Sequence, residues 1–475
     1  MRERILELLT SHGILIEPQA MEYLLAKEEP LEHIKKVLTS LQEYPLIINL
    51  EILKNLEGVE EPKRSYAEVK NFIKEGFAEP ELRILQEIKK SSSSGTLENF
   101  AKYFGSRYEQ LKKMMKVRRE LFGASNIAEL KSSNATLKLI AMVKDVRVSK
   151  EAHKLLELED TTGATTALIP NNSKLIKEAI MRDEVIGIVG RRSQRSNLVI
   201  VEDIIRPEFQ VRPIAFAQRN FYAAFISDLH LGSKTFLHNA WEKFIAWLRS
   251  ENELAKNLRY LVISGDCVDG VGVYPKQEKD LELKDIFKQY QELARKISQL
   301  PNYIKIIILP GNHDAVRQAE PQPPLHKEVT KYFPENVIFT SNPCYFSMNG
   351  IEVLAYHGKS MDDFVTKIPN ASYTTPIMIM KEMLKRRHLA VVYGARTPLA
   401  PEEHDWLVIN KIPHIFVTGH VHRAQVELYK NIVLINSSTW QSQTSYQAMQ
   451  GFLPQPAKVT FVNLHTLEYT IVDFS

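Results

Sequence analysis

Apolar and polar positions follow two different rhythms along this chain. Up to about residue 121 the apolar residues recur every three or four positions, the spacing of one helix face. Leu31, Ile34, Leu38 and Leu41 follow Pro30, whose fixed φ suits a first helical turn. With the stretch Ile5 to Leu25 they predict a small helical domain over 1–55. A charged, proline-broken run, EGVEEPKRSYAEVKNFIKEGFAEPE, reads as a linker. Helical spacing returns at Leu82 to Ile88, so 56–96 is expected to be a linker carrying a helical segment. SSSSG at 91–95 interrupts it, and a basic helical region follows over 97–133.

From about Asn134 the period shortens to that of strands. TLKLIAMVKDVRVS, KLLELED, TTGATTALIP, EVIGIVGRR and NLVIVEDII supply five of them, with a short helix in NSKLIKEAI opened by Asn172 or Ser173. Five strands with one helix between the third and fourth is the order of an OB-fold barrel, expected over 134–212; an unrelated small β domain is the alternative. RPEFQVRP closes this region. From 213 to 475 strands alternate with helices, and the strands are apolar throughout, as in an α/β domain buried on both faces.

Composition narrows this picture little. Of the 475 residues, 44% are hydrophobic and 25% charged, an ordinary globular balance. The net charge of +4 permits a nucleic-acid partner without arguing for one. With only two cysteines, Cys267 and Cys344, a disulfide framework is excluded and a reducing, intracellular setting is expected. No secretion signal or membrane-length apolar run is seen, so a cytoplasmic location, near the nucleoid, is expected and no membrane partner is.

The informative feature is how the apolar runs of the second half end. FYAAFIS ends in Asp228 and His230, YLVISG in Asp266, and IKIIILPG in Asn312, His313 and Asp314. IEVLAY ends in His357, and HIFVTG in His420 and His422. Ligands of open α/β sheets gather at the carboxyl ends of strands, so five neighbouring strands would deliver these side chains to one crevice. Each tip alone is ordinary, since nine of the fourteen histidines lie elsewhere; all five together predict a centre for two divalent metals. Imidazole with carboxylate suits Mn, Fe or Zn, Mn first, with Mg a further alternative; the lack of clustered Cys argues against structural zinc. Two metals roughly 3.5–4 Å apart usually share a carboxylate, and Asp266, alone at its tip, is the natural bridge.

D-x-H, G-D, G-N-H-D, H and G-H-x-H, in that order, resemble the calcineurin-like metallophosphoesterase superfamily over about residues 220–425. The resemblance implies a two-sheet αββα domain. It implies one metal on Asp228, His230, Asp266 and His422, and another on Asp266, Asn312, His357 and His420. It makes His313 the general acid, with Asp314 able to orient it by a hydrogen bond. Flanking stretches narrow the resemblance: SGDCVDGVGVYPKQE, PGNHDAVRQAEPQPP, YHGKSMDD, MLKRRHLAVVYGARTPLAPE and INSSTWQSQTSYQ look like the small subunits of archaeal family D DNA polymerases. That family implies a 3′→5′ exonuclease that proofreads for, and structurally supports, a large polymerising subunit. The implied partners are that subunit, single-stranded or mismatched DNA 3′ ends, and the sliding clamp through the complex. Hydrolysis would use water acidified by the metals, with His313 protonating the departing 3′ oxygen. Eukaryotic B-subunits of the lineage lack the metal-binding tips, whereas every tip is present here.

Weaker signals remain. Arg191, Arg192 and Arg195, between the last two barrel strands, are candidates for DNA contact, against a solvated hairpin tip or a docking surface for the large subunit. Lys385, Arg386, Arg387 and His388 lie between the fourth and fifth tips and are candidates near substrate. Lys112, Lys113, Lys116, Arg118 and Arg119 read as a solvated helix face. Asp269 and His326 can approach the site but are expected only to shape it, and Cys267 is expected to be a small buried hydrophobe. Two rival functions are a free-standing phosphoesterase acting on nucleotides or phosphoproteins, and a catalytically silent polymerase scaffold. The OB-fold and helical extension speak against the first and the intact ligand set against the second.

Overall fold

The computed structural model describes residues 1–11, 15–27, 29–40, 47–48, 50, 53, 80–91, 93–130, 136–193, 198–449 and 451–475. They fall into two units, Met1–Glu79 and Pro80–Ser475. In the first, helices Arg2–Ser11, Pro18–Leu25 and Pro30–Ser40 pack through Ile5, Leu9, Leu24, Ile34 and Leu38, with a short parallel pair, Leu15–Ile16 and Ile47–Ile48. Pro30 opens its helix as expected. Most of the expected linker lies outside the described residues.

In the second unit, helix Leu97–Lys116 is capped by a reciprocal pair: Thr96 Oγ1 accepts from Asn99 N at 3.3 Å, and Asn99 Oδ1 accepts from Thr96 N at 3.2 Å. The five expected barrel strands are present as Leu137–Val148, Lys154–Asp160, Gly163–Ile169, Val185–Arg192 and Leu198–Ile205. They close with the fifth strand between the third and the fourth, the third and fifth running parallel, which is the OB-fold arrangement. Leu139, Ala141, Leu156, Leu158, Ile186, Ile188 and Val199 fill it. The expected short helix is a single 3-10 turn, Lys174–Lys177, capped by Ser173.

The remaining strands form two six-stranded sheets. One runs Val337–Phe339, Lys305–Leu309, Leu258–Ser264, Tyr222–Ile226, Lys458–Asn463, Tyr469–Asp473. The other runs Gln425–Tyr429, Ile432–Asn436, Ile415–Thr418, Ile351–Ala355, Cys344–Met348, Leu82–Glu87. Alternation along the strands explains why they are apolar on both faces. Phe225, Val262 and Ile307 point between the sheets towards Phe346, Val353 and Val417. Ile226, Ile263 and Ile308 point outward, under helices carrying Trp241, Phe244, Tyr290 and Leu293. Helices Met361–Lys367 and Pro376–Arg386 cover the second sheet with Phe364, Met380 and Met383. The result is the expected αββα sandwich.

Two expectations are corrected. Leu82–Ile88 is not helical: Leu82–Glu87 is an edge strand paired antiparallel with Cys344–Met348, so the second sheet recruits chain from ahead of the barrel. The five tip-bearing strands are also not neighbours in one sheet. Three belong to the first sheet and two to the second, and the tips meet because the sheets are stacked. No described helix is long and apolar enough to cross a membrane.

Candidate metal centre

The tips turn by an unusual backbone. Asp228, His230, Asp266, His420 and His422 have φ of 52°, 48°, 49°, 69° and 52°, the left-handed region that costs an L-residue about 1–2 kcal/mol. Five such residues in one crevice are the backbone strain that sites of function retain. Neighbouring tips hold the turns: Asp228 N donates to Gly265 O and His230 N to Asp266 O, both at 3.0 Å. Gly419 packs so closely on Ser227 and Asp228 that a Cβ has no room there.

Two groups of donors line the tips. Asp228, His230 and His422 form one, and Asp266, His357 and His420 another, with the candidate ligand atoms in each within 4.8 Å of one another; a third such set, His230, Asp269 and His313, shares His230 with the first. His230 Nε2 and His422 Nε2 are 3.1 Å apart, and His422 Nε2 lies 3.3 Å from Asp228 Oδ1. Asn312 Oδ1 joins the second group 3.1 Å from His357 Nε2. Asp266 Oδ2 stands between them, 3.4 Å from His357 Nε2 and 3.8 Å from His230 Nε2. Asp228 Oδ1 is fully buried and takes no aligned hydrogen bond, a costly state for a carboxylate oxygen unless a cation meets it. These donors fit divalent cations.

The carboxylates and imidazoles of the cluster shift one another strongly. Burial pushes the Asp228 and Asp266 carboxyls up, but the imidazoles around them more than offset it and hold both well below the usual carboxylate range. Burial pulls His230 and His357 down, yet Asp228 and Asp269 raise the first to about 10, and Asp266 raises the second to about 9. Burial keeps His313, His420 and His422 below the ordinary imidazole value.

Partners outside the cluster select which ring nitrogen faces it. Asp269 Oδ1 lies 3.0 Å from His230 Nδ1, and Ser264 O 2.9 Å from His357 Nδ1, leaving each Nε2 for the centre. Asp362 Oδ1 lies 3.3 Å from His420 Nε2, leaving Nδ1, and Lys359 Nζ holds Asp362 at 2.6 Å. His313 belongs to this shell differently. Its Nδ1 is 2.7 Å from Asp269 O, its Nε2 is 4.0 Å from Asp266 Oδ2, and its side chain is 17% exposed against 3% for His230. It faces a cavity of about 630 Å³ that opens over both groups.

The expected link from Asp314 to His313 is absent from this geometry. Asp314 turns back into the core, where its Oδ2 accepts from Gly311 N at 2.9 Å and Cys267 N at 3.1 Å, and its Oδ1 from Tyr290 Oη at 3.0 Å. It shapes the G-N-H-D turn, and burial raises its carboxyl to about 6. The backbone carbonyl of Asp269 takes the orienting role instead.

Comparison with known proteins places the chain. The family of DNA polymerase alpha/epsilon B-subunits matches residues 223–427. A DNA polymerase II small subunit of Thermoplasma acidophilum is 36% identical over all of this chain and 93% of its own. Those of Archaeoglobus fulgidus and Methanothermobacter thermautotrophicus are 41% and 42% identical, over 80% and 81% of this chain and 78% and 81% of theirs. The chain belongs to the archaeal DNA polymerase II small subunits. A solved structure titled a novel archaeal phosphodiesterase aligns with 53% of this chain and 99% of its own, at 13% identity and a TM-score of 0.28.

In this small subunit the basic residues singled out in the sequence do not gather at the cavity. Arg386 is buried: its Nε is 2.6 Å from Glu184 Oε2, its Nη2 donates to Ala179 O at 2.7 Å, and it also pairs with Glu382. Arg387 is buried too, donating to Ile409 O at 2.6 Å and Asn410 O at 2.7 Å. Lys385 Nζ lies 3.8 Å from Glu178, and His388 Nε2 2.9 Å from Asp405 Oδ2. Lys385 and Arg386 fasten the barrel to the sandwich, Arg387 and His388 tie segments of the sandwich to one another, and buried Arg386 and Arg387 are corrected as DNA contacts. Buried Arg107, on helix Leu97–Lys116, reaches both sides, 2.8 Å from Asp405 Oδ2, 2.5 Å from Val391 O and 3.2 Å from Asp183 O. Removing one partner of a buried pair costs about 3–5 kcal/mol. Arg386→Ala is therefore expected to lower the melting temperature by several degrees, read by calorimetry.

Arg191 is exposed and 3.4 Å from Glu202; Arg192 donates to Leu130 O; Arg195 lies outside the described residues. On the basic helix, Lys113 and Lys116 are exposed, while Lys112 reaches Asn126 and Arg118 reaches the Arg206 carbonyl. His326 caps the short helix Lys327–Thr330, and Cys267 is buried and free. Asp269 does more than shape a loop, since it contacts His230 directly. Asp362 is a site residue that the sequence pattern does not single out; its one signal is the acidic pair in YHGKSMDD, just after the His357 tip.

Proposed function

We propose that this small subunit is a 3′→5′ DNA exonuclease that removes mispaired ends for the large polymerising subunit with which it assembles. The supporting observation is the Asp266 carboxylate standing between two donor groups, with the His313 imidazole, turned through Nδ1 onto the Asp269 carbonyl, facing the same cavity. Asp228, His230, Asp266 and His422 would hold one divalent cation; Asp266, Asn312, His357 and His420 would hold the other, Mn fitting the mixed imidazole and carboxylate set best and Fe, Zn or Mg being the alternatives. When bound, the cations supply Lewis-acid stabilisation of the phosphoryl oxygens and a nucleophilic water at neutral pH.

The chain's own groups do the rest. Asp269, Ser264 and Asp362 lock the ligand rings, so no reorganisation accompanies reaction. His313, fixed through Nδ1, presents Nε2 to the oxygen that leaves. Hydrolysis forms a P–O bond from water and breaks the P–O3′ bond. His313 protonates the departing oxygen, and the products are a nucleoside 5′-monophosphate and a strand shortened by one residue. A paired end must first unpair, which costs least at a mismatch. Supply of DNA through the polymerase complex and its sliding clamp belongs to the same proposal.

Assembly and hydrolysis should be separable. The side chains of His420 and His422 are only 14% and 6% exposed, beyond reach of a flat interface, whereas a permanent complex buries roughly 2,000 Å² or more of surface. His420→Ala with His422→Ala should leave co-purification with the large subunit and extension of matched primers intact, and abolish trimming of a mismatched 3′ end. Trimming that persists in the double variant overturns the proposal.

A further inference from the structure

One wall of the cavity holds no metal donor. Tyr373 and Phe452 meet edge to face, with ring centroids 5.7 Å apart. Arg396 Nη1 donates to Tyr373 Oη at 3.4 Å, and among the described residues no carboxylate pairs with its guanidinium. This wall is fixed. Buried Asp363 accepts from Arg396 N at 2.7 Å and Thr397 N at 3.2 Å. Phe452 is held by its backbone, its N donating to Gln447 O at 2.8 Å and its O accepting from Gln443 Nε2 at 2.7 Å. Gln447 also lies 3.0 Å from His422 Nδ1, so the loop bearing Phe452 is tied to a ligand.

A row of rings joins this wall to His313. Ring centroids step from His313 to His230, His422 and Phe452 at 4.6, 5.0 and 6.2 Å. If His313 protonates the leaving 3′ oxygen, the shortened strand lies at its end of this row. The departing nucleotide then extends towards Phe452. Resting on the exonuclease reading, we infer that Phe452 and Tyr373 form the subsite for the base of the terminal nucleotide, with Arg396 on its phosphate. A half-buried aromatic face beside an unpaired guanidinium is the combination that holds single-stranded nucleic acid without reading its sequence. The subsite takes any unpaired terminal base and none that is still stacked in a duplex.

The test uses the full chain co-expressed with its large subunit, Mn²⁺, and two 5′-labelled single-stranded oligonucleotides. They differ only in the last residue, a thymidine nucleotide or its abasic counterpart. Wild type is expected to remove the thymidine nucleotide roughly 5- to 150-fold faster at subsaturating substrate, the range of base–aromatic stacking. The ratio should fall towards one in Phe452→Ala, and also in Phe452→Leu, which keeps apolar volume but lacks the ring. The ratio within one variant is independent of its folded fraction. Arg396→Gln should raise KM on both oligonucleotides alike. Equal wild-type rates, or an unchanged ratio in both Phe452 variants, overturn the base subsite; an unchanged KM in Arg396→Gln removes the arginine from it. Failure of wild type to release a nucleotide from either oligonucleotide overturns the exonuclease reading and the subsite with it.

Discussion

Asp266→Asn will reduce nucleotide release to background and lower the bound metal. Asparagine keeps the shape of the side chain and the hydrogen bond that Asp266 Oδ1 accepts from His313 N at 2.8 Å, so the turn survives. What is lost is the charge between His357 and His230, whose Nε2 atoms lie 3.4 and 3.8 Å from Asp266 Oδ2. Removing one electrostatic donor from a reacting centre costs roughly 10²–10³-fold. Losing the carboxylate that stands between the two donor groups should cost at least about 10³-fold by the same reasoning. Elemental analysis of the purified variant, beside its rate on single-stranded DNA, checks both halves. Wild-type rates would end the shared-carboxylate account.

His313→Ala should behave in the opposite way towards metal. Its Nδ1 is engaged by Asp269 O at 2.7 Å and its Nε2 stands 4.0 Å from Asp266 Oδ2, so the ligand set does not need it. Turnover should fall by roughly 10²–10⁴-fold, the contribution of a positioned proton donor, with both metals retained. A nitrophenyl phosphodiester, whose leaving group departs without protonation, should recover part of the loss. Loss of metal from the variant would make His313 a ligand and leave the leaving oxygen without its acid.

The parts of this molecule that local pattern determines are readable from the chain, and the parts that depend on distant partners are not. The barrel strands and the apolar runs ending in Asp228, Asp266, Asn312, His357 and His420 carry their own signature, because alternation and a polar tip are written within a few residues. Leu82–Glu87 is different. Leu82, Leu85 and Ile88 sit at three-residue spacing, which reads as helix, yet the segment pairs with Cys344–Met348, more than 250 residues away. Arg386 and Arg387 look like a substrate-facing run because charge clusters in sequence do not reveal their carboxylates; Glu184 lies in the barrel, about 200 residues earlier. Asp314 follows His313 directly, but the turn sends its side chain back to Gly311 and Tyr290. Asp362 carries only a faint mark, since a carboxylate in a helix's first turn is common, and its contact with His420 crosses between two tips.

On the proposed function, this chain itself cuts DNA from the 3′ end with metal held at these tips. The most direct measurement follows a 5′-labelled single-stranded oligonucleotide incubated with the wild-type protein and its large partner, in Mn²⁺ or in EDTA. A ladder that shortens by one nucleotide at a time is expected in Mn²⁺, with nucleoside 5′-monophosphates as the product, and an intact oligonucleotide in EDTA. An intact oligonucleotide in Mn²⁺, internal cuts, or early release of the labelled 5′ nucleotide would contradict the proposed function.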